Sequence, residues 1–350
     1  MNIQFGFYDL HKRFSKLTEA GDALERLDAV VDWEMFRPEL ERIDRKERKS
    51  AAGRKPMDRV VMFKMLILQN LYGLSDEALE YQVSDRLTFM RFLRIDLAGT
   101  VPDAKTVWLF RERLREAKVF DRLFEQFHRA LASQGVKLNS GQIVDASFVE
   151  APRQRNTREE NETIKDGAIP KDWTNNAAKR HQKDIDARWT KKNDEDHYGY
   201  KTHVSVDRKT KLVIEERSTA ANVHDSQVFD ELLGKPSKRG RDVWADSAYR
   251  SAEQEQGLKR HGFRSHVHER AYRGRPLTEA RLRENRRKSR VRVEHVFATM
   301  TQMGGMTVRT IGIERMRVWS TMKVLSYNLK RLEVLIRLRK ISIDGIGVPA

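Results

Sequence analysis

Three carboxylates stand where an acidic side chain is costly or conspicuous. Asp145 interrupts the apolar run Ile143-Val144-Asp145-Ala146, Asp246 closes Val243-Trp244-Ala245-Asp246, and Glu294 lies between Val293 and Val296-Phe297 in a stretch rich in arginine. A carboxylate within an apolar strand is expensive to bury unless it is paired, hydrogen-bonded or bound to a cation. Three of them converging on one point would repel, and a divalent metal is the usual remedy. Mg²⁺ favours oxygen ligands, a few carboxylates completed by waters and substrate phosphates. Two such ions about 3.5–4 Å apart can activate a water or a 3′-hydroxyl and stabilise the leaving oxygen during in-line displacement at phosphorus. Taken singly, each carboxylate has a plainer reading, since strand-end aspartates often cap turns and the chain holds 51 acidic residues. The order strand-Asp, strand-end-Asp, helix-Glu carries more weight than any one of them.

The neighbouring charge supports phosphate chemistry. The formal net charge is +17 over 350 residues. It is concentrated: residues 259–340 hold 22 basic and 6 acidic side chains, whereas residues 1–258 are close to balanced. Such asymmetry points to a polyanion, most simply nucleic acid. Arg281, Arg283, Arg286, Arg287, Lys288, Arg290 and Arg292 crowd the approach to Glu294, relieved only by Glu284. Like charges at helical spacings repel, and phosphate neutralisation is a reason to keep them. Arg290, four residues before Glu294, is expected on the same helix face, where it could orient a phosphate bidentately. Lys201 and Tyr249 are lesser phosphate-contact candidates, and Lys330 belongs to a basic set on the last helix. His197, His203 and His224 read as hydrogen-bonded structural residues.

The elements that must position these residues can be read in outline. Pro56 and Asp58 start a helix that Gly73 ends, Ser75 caps a second, a third follows Pro102-Asp103, and Phe120, Leu123, Phe124, Phe127 and Leu131 stripe a fourth ended by Gly135. These short helices read equally as a helix-turn-helix DNA reader or as a bundle without DNA contact. From Gln142 the texture becomes β-rich: IVDASFVEA reads as a strand of four or five core residues, YGYKTHVSVD and KLVIEERSTA as a hairpin turning at 208–210, RDVWADSAYR and FRSHVHER as further strands. Residues 152–196 between them are polar, with Trp173 and Trp189 as the large apolar anchors, and read as an insertion or mobile loop. DSQVFDELL and residues 251–260 read as helices, as do Thr278 to about Thr301 and Glu314 to Lys340. A mixed sheet with helices on both faces fits that order. The apolar stripe of the last helix, from Trp319 to Ile336, reads as core packing or a dimer contact.

Several classes are excluded. Without cysteine there is no disulfide framework, thiolate nucleophile or Cys-based zinc site, which fits a reducing compartment. The N-terminus lacks the order of a signal peptide, and the apolar stretch Val60 to Leu71 is too short to span a bilayer and is broken by Lys64. A soluble, cytoplasmic protein with no membrane partner is expected. Dinucleotide and P-loop glycine patterns and a Ser/His/Asp arrangement are missing where they would be needed, so no nucleotide cofactor is expected.

The segments IVDASFVEA, HYGYKTHVSVD, ANVHDSQVFDELL, VWADSAYRS and NRRKSRVRVEHVFATM resemble, in order, the blocks of DDE transposases of the bacterial insertion-sequence-five family. RKPMDRVVMFKMLILQNLYGLSDEALEYQVSDRLTFMRFL resembles the helical domain preceding the catalytic core in that family. The resemblance covers roughly residues 50–335. It implies an α/β fold with a ribonuclease-H-like, mixed-sheet catalytic core at residues 139–340, carrying the polar insertion at about 152–196. An all-helical N-terminal domain for DNA binding or dimerisation occupies residues 1–138, and a tail 341–350. It implies that Asp145, Asp246 and Glu294 are the catalytic, metal-binding triad. Arg290 matches the arginine of the related signature, whereas Arg287 stands where a tyrosine is expected and Thr301 where a lysine is.

The function so implied is transposition: binding of the terminal inverted repeats of an insertion sequence, Mg²⁺-dependent strand cleavage with Mn²⁺ as a substitute, and attack of the freed 3′-OH on target DNA. The partners are double-stranded element ends and target DNA, with a homodimer or higher oligomer holding two ends, in the cytoplasm and on the nucleoid when bound. Two rival readings are a non-catalytic sequence-specific DNA-binding regulator and a ribonuclease-H-like nuclease that does not join strands.

Overall fold

The computed structural model describes residues 8–43, 57–192, 194–234, 242–272, 274–291 and 293–341. They fall into two compact units: the chain up to Val136 together with the chain from Leu325, and Lys137–Val324.

The first unit is helical for local reasons. Asp58 accepts from the backbone N–H groups of Val60 and Val61 at the start of the Arg59–Tyr72 helix, and Gly73 ends it in the left-handed region. Ser75 caps Asp76–Asp85 and Asp103 caps Ala104–Glu116. The Phe120–Ser133 helix buries the expected stripe of Phe120, Leu123, Phe124, Phe127 and Leu131. Helices Asp9–Glu19, Ala23–Val30 and Leu87–Leu93 complete the sequence reading. Lys64 is buried rather than a break in the apolar run: it pairs with Asp28 at 2.6 Å and lies over the Phe92 ring. The last part of the Ile313–Arg337 helix counts with this unit, and Glu333 there accepts from Arg26 at 2.8 Å.

The second unit is built on a six-stranded mixed sheet: β1 Gln142–Glu150, β2 Arg188–Lys192, β3 Glu195–Asp207, β4 Val213–Ala220, β5 Asp242–Trp244 and β6 Arg264–Ser265. β3 is antiparallel to β1 on one edge, and on the other it pairs with β2 along its first half and β4 along its second. β5 runs parallel to β1, and β6 parallel to β5. The resulting order is β4-β3-β1-β5-β6, the mixed sheet that was expected. β1 has nine residues, longer than anticipated. Gly199, paired with Glu150 of β1 and Arg188 of β2, has φ +143, and a Cβ there would lie 2.3 Å from the Val149 carbonyl oxygen.

Alternate residues of β1 feed two cores on opposite faces. Val144 joins Phe229, Leu232, Val243, Tyr249 and Leu258, whereas Val149 joins Tyr198, Tyr200, Val308 and Met316. Helices therefore cover both faces, the first through Phe229–Leu232 and Ala252–Arg260, the second through the start of Ile313–Arg337.

The polar insertion is organised rather than a bare loop. It carries helices Arg158–Lys165, Lys171–Thr174 and Ala177–His181 before β2. Trp173 is fully buried and donates its indole N–H to Glu160, which also holds Lys179. Asp184 fastens this segment to the core. Its carboxylate accepts from the Tyr200 hydroxyl at 2.7 Å, from the Gly312 N–H at 3.1 Å and from the N–H groups of Asp186 and Ala187. Asp184→Ala would strand four donors, so urea denaturation should show a loss of about 2–4 kcal/mol. A variant within about 0.5 kcal/mol of the parent would show that water replaces the carboxylate.

Candidate active site

Asp145 lies at the centre of β1, opposite Val204 of β3. The β1–β5 pairs Gln142↔Val243 and Ile143↔Trp244 are each offset by 101 residues, the same separation as Asp145 from Asp246. The parallel register thus brings Asp246, two residues past the end of β5, level with Asp145 on the neighbouring strand. Paired strands run about 4.8 Å apart. The sequence shows the separation; only the sheet shows that it equals the register.

The two aspartates sit in different surroundings. Asp246 is exposed and caps the short turn Ser247–Tyr249, accepting from the Ala248 N–H at 2.8 Å. Asp145 is half-buried and accepts from the N–H of its neighbour Ala146 at 2.8 Å. Burial, and then the charges of Asp246 and Asp225, push its carboxyl up to about 6, against the opposing pull of the Ala146 N–H and the Lys192 ammonium.

Asp225 was missed by sequence reasoning, which placed it within an amphipathic helix. It begins a 3₁₀ turn, Asp225–Val228, and is buried, with its carboxylate accepting from Lys201 at 2.8 Å. An acidic residue at a buried helix start was the available signal, but its partner lies 24 residues away.

Glu294 is exposed at the first position of the Glu294–Gln302 helix, anchored by buried Val293 and Val296. It is not gathered with the aspartates: among the described residues, no three His, Asp or Glu side chains form a group that could hold a metal ion. The continuous helix expected from 278 to about 301 is two helices, Glu279–Lys288 and Glu294–Gln302. The break has a local cause. The Ser289 hydroxyl donates back to the Asn285 carbonyl, and the Arg290 and Val291 N–H groups close tight turns onto Arg287 and Lys288. Arg290 therefore does not share a helix face with Glu294.

The other expected contacts divide. Arg286 and Arg290 are exposed, Arg287 is exposed and pairs with Glu284 at 2.8 Å, and Lys330 is exposed on its helix. Lys288 donates to the Val267 carbonyl at 3.1 Å. Arg292 lies outside the described residues. Lys201 is occupied by Asp225 and the Val223 carbonyl. Tyr249 is corrected as a phosphate contact: it is 1% exposed, its ring packed on Phe229, so its hydroxyl does not face solvent. The histidines are structural. His203 is buried against Thr219, His224 bonds Ser226, and His197 stacks on Phe148 with ring centroids 4.0 Å apart.

Asp145 and Asp246 suit a hard divalent cation. Both offer oxygen, and the Asp145 carboxyl is raised partly by the repulsion that a cation would relieve.

The helical N-terminal region and the mixed sheet covered on both faces make this a mixed α/β protein. A family model described as a transposase DDE domain matches residues 136–329, more than half the chain, and one described as a transposase domain (DUF772) matches residues 12–113. The chain belongs to the DDE transposase family. Among solved structures, a cryo-EM structure of a piggyBac transposase synaptic complex with hairpin DNA is similar at 12% identity and TM-score 0.46, covering 94% of this chain and 77% of that one. No helix among the described residues is long and apolar enough to cross a membrane.

The raised Asp145 carboxyl predicts a pH-dependent stability. Its folded-state value, about 6, lies above the ordinary carboxylate value of 3.8, so the fold favours the neutral form. The associated stability is fully present below the unfolded value and is lost as pH rises through about 6. With chelator present, the advantage of Asp145→Asn over the parent should grow as pH rises from 3.8 to about 6 and level off above that, at no more than ~3 kcal/mol in urea denaturation. Parallel stability curves would contradict this.

Proposed function

We propose that the chain is a transposase of the insertion-sequence-five type, which binds the terminal inverted repeats of its element, cleaves there, and joins the freed 3′-OH to target DNA. The observation that carries this reading is the register that sets Asp145 beside Asp246 within a DDE-family core. Asp145, Asp246 and Glu294 would hold Mg²⁺, with Mn²⁺ able to substitute. Bound there, the divalent ions would activate the attacking oxygen and stabilise the leaving one.

The chain's own residues do the rest. Asp145 and Asp246 come from adjacent strands of one sheet, so their relative placement is fixed by backbone pairing. Glu294, exposed at its helix start, supplies the third carboxylate on joining them. The exposed Arg286, Arg287 and Arg290 grip the DNA backbone, and Lys330 adds positive charge on the last helix. Two element ends must be held together, which calls for a dimer or higher assembly. Neither step needs a nucleotide cofactor.

One observation favours a second reading: among the described residues, Glu294 completes no metal-holding group with the aspartates. A chain that could not bring it in would bind ends without cutting, as a regulator would.

Incubating the purified protein with end-containing DNA, with and without Mg²⁺, separates these. Metal-dependent cleavage and joining are expected, with Asp145→Asn, Asp246→Asn and Glu294→Gln each slower by about a hundredfold or more. Binding without cleavage by the intact protein would favour the regulator, and cleavage without joining a nuclease. Replacing Arg286, Arg287 and Arg290 by glutamine should flatten the salt dependence of DNA binding by about 0.9 in log–log slope for each phosphate that is no longer neutralised. An unchanged slope would mean that these arginines face solvent in the complex.

A further inference from the structure

The register that sets Asp145 beside Asp246 continues one strand further. The β5–β6 pairs Asp242↔Arg264 and Val243↔Ser265 are each offset by 22 residues, the same separation as Asp246 from His268. Backbone bonding carries this pairing past the end of β6. The His266 N–H donates to the Val243 carbonyl at 2.7 Å, and the His268 N–H to the Ala245 carbonyl at 3.1 Å. One period earlier, the level pair Trp244 and His266 stack their rings with centroids 4.7 Å apart. Side chains level with one another on paired strands share a face, and alternation returns to that face at every second residue. Asp145, Asp246 and His268 therefore stand in one row on one face of the sheet, on strands about 4.8 Å apart.

The His268 ring is held by one nitrogen. Its Nε2 lies 3.3 Å from the Ser289 hydroxyl. That hydroxyl has a single proton and donates it to the Asn285 carbonyl at 2.9 Å, so in this contact Nε2–H donates and Ser289 accepts. A proton on Nε2 leaves the Nδ1 lone pair bare in the neutral ring, and Nδ1 has no hydrogen-bond partner among the described residues. One ring N–H tied to a neighbour, with the other nitrogen offering its lone pair, is how an imidazole is oriented for a metal ion.

We propose that His268 is a further metal ligand of this centre: its Nδ1 and the Asp246 carboxylate together hold a divalent ion, and Ser289 orients the ring from behind. This rests on the reading of Asp145 and Asp246 as cation ligands. Among the described residues no three His, Asp or Glu side chains form a ready metal group. A pair is enough to seat an ion that keeps several waters and completes its sphere with substrate phosphate. An imidazole nitrogen is softer than a carboxylate oxygen, so this ligand favours Mn²⁺ over Mg²⁺. Ser289 lies between the Glu279–Lys288 and Glu294–Gln302 helices, so the ring is anchored on the segment that leads to the third carboxylate.

The test is pulsed electron paramagnetic resonance of the full chain loaded with Mn²⁺ alone, which detects nitrogen bound to the ion. The parent should show ¹⁴N coupling to Mn²⁺. His268→Gln keeps a donor for Ser289 and removes the ring nitrogen. It should lose the coupling and bind Mn²⁺ about tenfold or more weakly, with thermal unfolding as in the parent. Ser289→Ala, at an exposed position, should keep the coupling and weaken Mn²⁺ binding by about tenfold. A parent spectrum without ¹⁴N coupling overturns the proposal, as does coupling that survives in His268→Gln. Should His268→Gln fail to fold, parent protein labelled with ¹⁵N-histidine must exchange its ¹⁴N coupling for ¹⁵N, and Ser289→Ala must still weaken binding; failure of either overturns it. If Asp145→Asn loses Mn²⁺ while His268→Gln binds within about twofold of the parent, His268 alone is overturned and the aspartate site stands. If Asp145→Asn also binds as the parent does, the aspartate site is overturned and the role of His268 with it.

Discussion

The constraint on which the second unit turns is the burial of the Asp145 carboxyl in a sheet whose register also brings the charge of Asp246 near it. Backbone pairing of β1 with β5 fixes the register, and the register sets Asp145 beside Asp246 whatever the side chains prefer. Hydrophobic packing on both sides of β1 stiffens that arrangement, through Val144 on one face and Val149 on the other. The fold therefore imposes an electrostatic cost at one point that water relieves only in part. A site that is unfavourable when empty and relieved by a cation is preorganised for one.

The surrounding structure is consistent with that constraint. Lys192 and the Ala146 N–H offset some of the charge on Asp145, and Lys201 neutralises Asp225 close by. The insertion, tied through Asp184 to Tyr200 and to the start of the last helix, stabilises the β3 side of the sheet from which Lys201 projects. Glu294 starts a separate short helix and, among the described residues, completes no metal-holding group with the aspartates.

What could be read in the sequence follows from how local each interaction is. The Arg59–Tyr72 helix was legible at both ends because Asp58 and Gly73 act within a turn of their own positions. The β3–β4 hairpin was legible because both strands are rich in Val, Thr, Tyr and Ile and its turn is short. Asp145 and Asp246 stood out by their apolar frames. The pairing of Asp225 was not legible, since Lys201 reaches it only through the fold. Nor was the break before Glu294, where no proline or glycine marks the chain and a serine back-bond ends the helix instead. Lys323, on the same helix as Lys330, is buried and donates to the Met303 carbonyl, and burial lowers its ammonium to about 8. Charge counted along a sequence does not reveal which charges reach the surface.

The most direct measurement is a crystal structure of the protein with Mn²⁺ and element-end DNA, with the ions located by anomalous scattering. Anomalous density bonded to Asp145 and Asp246, with Glu294 drawn in to complete the set beside the scissile phosphate, is the expected result. Density elsewhere, or DNA seated at the site with Glu294 still apart and no ion on either aspartate, would contradict the assignment of these carboxylates as the catalytic centre.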